Sequence, residues 1–210
     1  MKRVFALGLS VLLCLFLFSA CSDEKTIEDH VDLAMAQLGK PTADAYRDMG
    51  LPGNPGDTIE GSALLVWDCY DIMGKQLIVE IFHRASPEKG KELTEMQTDC
   101  VTYAAMLDGD YDYAVRLYEA LREAYGEPEP VAGSQPFTET TATVDWLKAL
   151  GEGEQCSGLW RKDDNEIEFR VSNGTVSKDH TDPTIGLEIK IPLERLYFSP
   201  IYTYDGTRIR

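Results

Sequence analysis

Four acidic residues in the middle of the chain have the spacing of a cation site. Asp108, Asp110 and Asp112 alternate, and Glu119 stands twelfth in the run. A twelve-residue calcium loop places acidic oxygens at positions 1, 3, 5 and 12, because a hard cation prefers oxygen ligands. Val115 also falls at the eighth place, which is usually apolar. The sixth place requires Gly for a sharp turn, and here it is Tyr113. The same aspartates suit the start of a helix, where the backbone N–H groups favour negative charge. Calcium at Asp108, Asp110 and Asp112 is therefore a weak expectation, and no metal site is assigned.

Nucleophilic chemistry is poorer still. Cys69 and His83 form a cysteine–histidine couple fourteen residues apart. A hairpin centred on Met73-Gly74 would set His83 roughly 17 Å along the partner strand, out of reach. The chain has no Gly-x-Ser-x-Gly, His-Glu-x-x-His, phosphate loop or Cys-x-x-Cys, so no catalytic residue and no cofactor is expected. With 36 carboxylates some pair could always be picked for hydrolysis, so their abundance identifies none. Near the C-terminus Tyr197, Tyr202 and Tyr204, with Phe198, offer broad contact area with polar tips. That suits a peptide or glycan ligand, but a cover for the end of the sheet is the reading favoured over it.

The N-terminus carries an address. Met1-Lys2-Arg3 is basic, Val4 to Phe18 is an uncharged apolar run of fifteen residues, and Ser19-Ala20 precede Cys21. The run is short for a spanning helix, which needs about twenty residues. Phe18-Ser19-Ala20-Cys21 resembles the lipobox of bacterial lipoprotein precursors, with Phe18 in place of the usual Leu. The resemblance implies that residues 1–20 are removed, that Cys21 is acylated, and that the protein is extracytoplasmic and held to a membrane by lipid. Residues 21–26 then form a short tether. Losing Lys2 and Arg3 takes the formal charge from −16 to −18. That acidity disfavours nucleic acid and anionic lipid as partners.

Of the remaining thiols, Cys69 and Cys100 both fall on apolar stripes and could form a disulfide in an oxidising compartment. The alternative is that Cys69, Cys100 and Cys156 are all small buried hydrophobes.

The elements that must position these groups read as α+β, in one domain over 27–210, with possible subunits 27–110 and 111–210. Thr26 caps a helix whose stripe is Ile27, Val31, Ala34 and Leu38, stopped by Gly39-Lys40-Pro41. Strands are expected at 63–70 and 76–83, a helix from Ser86 through Leu107, and another capped by Asp112 and stopped by Gly126-Glu127-Pro128. A short helix at 144–150, strands at 158–162, 166–171 and 185–191, and hairpin turns at Asn173-Gly174 and Asp205-Gly206 complete the pattern. Helix, Gly-x-Pro stop and a hairpin whose first strand carries Trp67 or Trp160 recur in the two halves, which suggests a degenerate duplication. Such units are similar to the tandem modules of small secreted proteins of the β-lactamase-inhibitor type, a likeness that carries no function here. The expected role is a non-catalytic binding or accessory lipoprotein of the cell envelope, with a protein or envelope glycan as possible partner. An envelope enzyme using carboxylates, or a small-ligand or cation-binding lipoprotein, are the alternatives.

Overall fold

The computed structural model describes residues 25–60, 63–83, 92–173, 183–192 and 195, together with strand residues 201–202 and 208–209. The architecture is α+β. Helices α1 (Ile27–Met35), α2 (Thr42–Asp48), α3 (Tyr111–Tyr125) and α4 (Val144–Lys148) accompany strands β1 (Ile59–Glu60), β2 (Ala63–Ile72), β3 (Lys75–Phe82), β4 (Cys100–Met106), β5 (Glu129–Pro130), β6 (Gln135–Pro136), β7 (Gln155–Lys162), β8 (Asn165–Asn173) and β9 (Pro183–Lys190). These nine strands form one sheet in the order β1-β2-β3-β4-β9-β8-β7-β5, antiparallel throughout except that β6 lies parallel to β7. A separate ribbon pairs β10 (Ile201–Tyr202) with β11 (Arg208–Ile209).

Local chemistry explains the helix ends. Thr26 and Asp29 form a reciprocal capping box at the start of α1. Asp110 caps α3 by accepting from the Tyr113 N–H at 3.2 Å. Both long helices lead to a glycine at positive φ, Gly39 at 83° and Gly126 at 81°, where a Cβ would be strained and a helix readily stops. Aligning those two glycines lays the buried Ile27, His30, Val31 and Ala34 over Ala114, Leu117, Tyr118 and Leu121, all buried. The two helices present the same face to the sheet.

The strands repeat this symmetry. The turns Met73-Gly74 and Asp163-Asp164 have positive φ at both central residues, 54° and 83° in one, 50° and 62° in the other. Two-residue turns of that kind match the twist of the strands they join. Each half is thus a long helix followed by a three-stranded meander, β2-β3-β4 and β7-β8-β9. Val79 pairs with Tyr103 in the first and Phe169 with Leu187 in the second, and Tyr103 pairs with Leu187 across the join. Val101 opposite Ile189 then mirrors Ile185 opposite Ala105. A pseudo-two-fold axis therefore passes between β4 and β9.

Because side chains alternate along a strand, one face of the sheet collects Leu77, Val79, Ile81, Tyr103, Ile167, Phe169, Leu187 and Ile189. These are all buried, in a single cluster with the buried residues of the helices.

Three expectations are corrected. No helix runs through Leu107: residues 93–95 form one 3-10 turn and Cys100–Met106 is the central strand β4. Consecutive residues Cys100 to Tyr103 are all buried, so the apolar spacing of this strand mimics a helical stripe. Trp67 is not the counterpart of Trp160. From their turns, Tyr70 pairs with Leu77 as Trp160 pairs with Ile167, and Trp67 falls in the β2 irregularity between Val66 and Tyr70. Finally, Asn173 faces Pro183, so β8 and β9 are joined across 174–182 rather than by a two-residue turn at Asn173-Gly174.

Candidate functional site

The sheet face opposite the helices carries the alternate residues of each strand. Its two halves differ in chemistry. On β2, β3 and β4 it presents Leu65, Ile78, Phe82, Ala104 and Met106, each partly exposed, with Glu80 and Thr102 among them. On β8 and β9 it presents Glu166, Glu168, Arg170, Glu188 and Lys190.

The last four form a closed ring. Arg170 reaches Glu188 at 2.9 Å and Glu168 at 3.3 Å, while Lys190 reaches Glu188 at 3.0 Å and also hydrogen-bonds Glu168. Each cation bridges both carboxylates, and all four carboxylate oxygens are engaged. Glu168 and Lys190 are each only 8% exposed, which requires such pairing, since an uncompensated buried charge is costly. Burial pulls the Lys190 ammonium down, but Glu188 and Glu168 outweigh it and hold the group above its ordinary value. At the edge of the same half, Arg161 bridges Glu166 at 3.1 Å and Glu129 at 3.5 Å.

The ring had a partial signature in sequence. Alternation in 166–171 and 185–191 already puts Glu168 with Arg170, and Glu188 with Lys190, on the wet side of their strands. The register that sets Glu168 directly opposite Glu188, flanked by the two cations, comes only from the pairing of β8 with β9.

The residues expected to do chemistry are dispersed. Asp110 is the α3 cap and Asp112 lies in its first turn, while Asp108 sits at φ 50° in the preceding turn. Glu119 lies seven helical residues beyond Asp112, roughly 10 Å along the axis, so the calcium spacing does not become a loop. Among the described residues no group of three or more His, Cys, Asp or Glu could hold a metal ion.

The Cys69–Cys100 disulfide is not formed, and Cys69, Cys100 and Cys156 each stand outside any disulfide. Strand β3 lies between β2 and β4, and Cys100 sits opposite Phe82, which in turn faces Ala63. Cys69 is six residues further along β2, so the two thiols are separated both across and along the sheet. Cys156 is buried against the core, and loss of hydration pushes its thiol up to about 12.

His83 donates from Nδ1 to the Gln97 carbonyl at 2.8 Å, with the Asp99 carboxylate at 3.9 Å; it makes no thiol couple with Cys69. His30 is buried in α1. Its Nδ1 shares a hydrogen bond with the Tyr70 hydroxyl at 3.2 Å, and Tyr103 donates to its carbonyl at 3.2 Å. Burial, with Lys25 nearby, lowers the His30 pKa against the smaller opposing pull of Asp29 and Asp71.

Tyr202 pairs with Arg208 in the small ribbon. Cys21, Tyr197 and Tyr204 lie outside the described residues, as does the turn at Asp205-Gly206. Among the described residues no helix is long and apolar enough to cross a membrane. Compared with protein-family models, with curated proteins and with solved structures, the chain matches none.

Proposed function

We propose that the protein is a lipoprotein of the cell envelope, acylated at Cys21, extracytoplasmic and non-catalytic, which binds a partner through the helix-free face of its sheet. The observation that carries this reading is the composition of that face. An apolar half beside a polar half tied together by ion pairs is the make-up of an interaction surface, with an apolar centre and polar groups at its side. The carboxylate pair Glu168 and Glu188 is bound on every oxygen by Arg170 and Lys190. Such an arrangement holds charge in place rather than passing a proton, which sets it apart from the carboxylate-enzyme alternative.

The anchoring half of the proposal rests on the N-terminal layout alone. Several acyl chains hold a protein at a membrane where one does so only marginally. Replacing Cys21 with Ser is expected to move the protein from the membrane fraction to the soluble extracytoplasmic fraction. A Cys21→Ser protein that stays wholly with membranes overturns lipid anchoring. Turnover of an envelope substrate by the purified protein, with no specific partner recovered by crosslinking, overturns the binding role.

A further inference from the structure

We infer that the C-terminal segment 196–210 lies across the helix-free face of the sheet as an intramolecular cover, over the end where β4 begins and β9 finishes. Under the binding role proposed above, the area left for a partner is the opposite end of the face, at Ile78, Ala104 and Met106. Only this consequence rests on that reading.

Burial on this face runs in one direction. On β4, Cys100 and Thr102 are 2% and 6% exposed, whereas Ala104 and Met106 are partly exposed. On β9, Lys190 is buried, whereas Glu188, Gly186 and Thr184 are partly exposed. Lys190 pairs with Cys100 and Thr184 with Met106, so the buried residues share one end of the sheet. Cys100 also pairs with Phe82, which faces the buried Ala63 in the same row. Adjacent strands shield a side chain from the sides and leave its top to water. A side chain as long as Lys190, beside one as short as Cys100, is not brought to 8% exposure in that way. Ala63 and Cys100 are buried yet stand outside the core cluster beneath the helices, as does Met96, four residues before Cys100. Satellite clusters of this kind are found under long connecting segments.

Two stretches of chain leave the sheet at this end. Residues 84–91, after β3, offer Ala85 and Pro87 as their apolar side chains. The C-terminus, after β9, offers Leu196, Tyr197, Phe198, Ile201, Tyr202 and Tyr204. An apolar cluster selects the second. Tyrosine suits the place, with a ring for Ala63 and Cys100 and a hydroxyl for the ion pairs beside them. The length fits as well. Pro192 is buried, and Arg195 hydrogen-bonds the Asp164 carbonyl in the β7–β8 turn. These residues line a hollow with Arg161, which belongs to the helix-free face through its bridge to Glu166. From β8 to β2 is four strand spacings, about 19 Å, and residues 196–201 in extended form reach about 20 Å. They are long enough to carry the chain back across the face to the β10–β11 ribbon, which starts at Ile201.

Cys100 reports on the cover, because it lies on the covered face, whereas Cys156 is buried in the core beneath the helices. In the full chain both thiols are expected to resist N-ethylmaleimide, followed residue by residue by mass spectrometry. Ending the chain after Arg195 is expected to speed labelling of Cys100 by about tenfold or more through lost local protection, and to leave Cys156 as slow as before. Unchanged labelling of Cys100 in the shortened chain overturns the inference. If replacing residues 85–90 with glycine and serine then speeds it, that segment is the cover. Where Cys100 and Cys156 speed up together, the shortened chain has unfolded, and the full chain with photoreactive benzoylphenylalanine in place of Phe198 decides. Crosslinks to 63–65, 80–82 or 100–102 uphold the inference. Crosslinks confined to other segments, or to a second copy, overturn it. Neither measurement depends on acylation at Cys21 or on a partner, so failure of the cover and failure of the lipoprotein reading are separate results.

Discussion

The two halves of the sheet are built alike and finished differently. On the helix side equivalent positions stay apolar: Val79 and Phe169, Ile81 and Val171, Leu77 and Ile167. On the other side the second half puts Glu168, Arg170, Glu188 and Lys190 where the first has Ile78, Glu80, Ala104 and Met106. A buried core tolerates only apolar groups of suitable volume, so the correspondence of the two halves is still visible there. A face on which no helix of the described residues packs is free to diverge, and the divergence marks where the molecule can be specific.

The largest expected effect tests the shared core. Phe169 is fully buried and stacks on Phe137 at 5.2 Å. Phe169→Ala should cost about 3–5 kcal/mol in urea unfolding, against about 0.5–1.5 kcal/mol for Ile81→Val in the other half. A smaller loss at Phe169 than at Ile81 would show that the second half does not share the core.

Next comes the ring. Lys190→Met grafts the first-half residue and leaves Glu168 buried with only Arg170 at 3.3 Å, a loss of roughly 3 kcal/mol. Adding Glu168→Ile, again the first-half residue, removes the orphaned charge and should restore most of that stability in a double-mutant cycle. If the double variant is as unstable as the sum of its parts, the halves are not interchangeable on this face.

Gly158 and Val66 hold equivalent places opposite Phe169 and Val79. A Cβ at Gly158 would stand 2.8 Å from the Pro128 Cβ, so Gly158→Val should lower stability by about 1–3 kcal/mol through overpacking. An unchanged thermal midpoint would mean that Pro128 yields freely.

The smallest effect concerns His30, whose counterpart in α3 is Leu117. Its pKa is lowered in the fold, so the unfolded chain binds more protons. Stability is then complete above the ordinary histidine value of about 6.5 and falls as the solution is acidified through it. His30→Leu should flatten that part of the stability-against-pH curve. An identical slope in both proteins would assign the acid sensitivity to other groups.

Much of this was legible from local pattern. The capping residue before α1, the apolar stripes of both long helices, the Gly-x-Pro stops, and the alternation of Ile167, Phe169 and Val171 each follow from groups a few residues apart; the cap of α3 is Asp110 rather than the expected Asp112. Conformational preference is decided over that range. The first hairpin was legible too, from Met73-Gly74 between two β-rich runs. Cys100–Met106 was not, because Cys100 to Tyr103 are buried in succession and the alternation is lost there. Nor was the ring legible, because Glu168 and Glu188 are twenty residues apart in the chain and become neighbours only through the register of β8 on β9.

The amino-acid sequence by itself thus determined the class of fold, the acidity of the chain and the layout around Cys21, all of which depend on composition or on near neighbours. Tertiary structure alone decided which strand stands at the centre, that Tyr70 rather than Trp67 matches Trp160, and that the cysteines stay apart. It also decided that one face of the sheet is half apolar and half locked in ion pairs. The physical reason is the same in each case: strand pairing joins residues distant in the chain, and its register is set by packing the core rather than by any local signal.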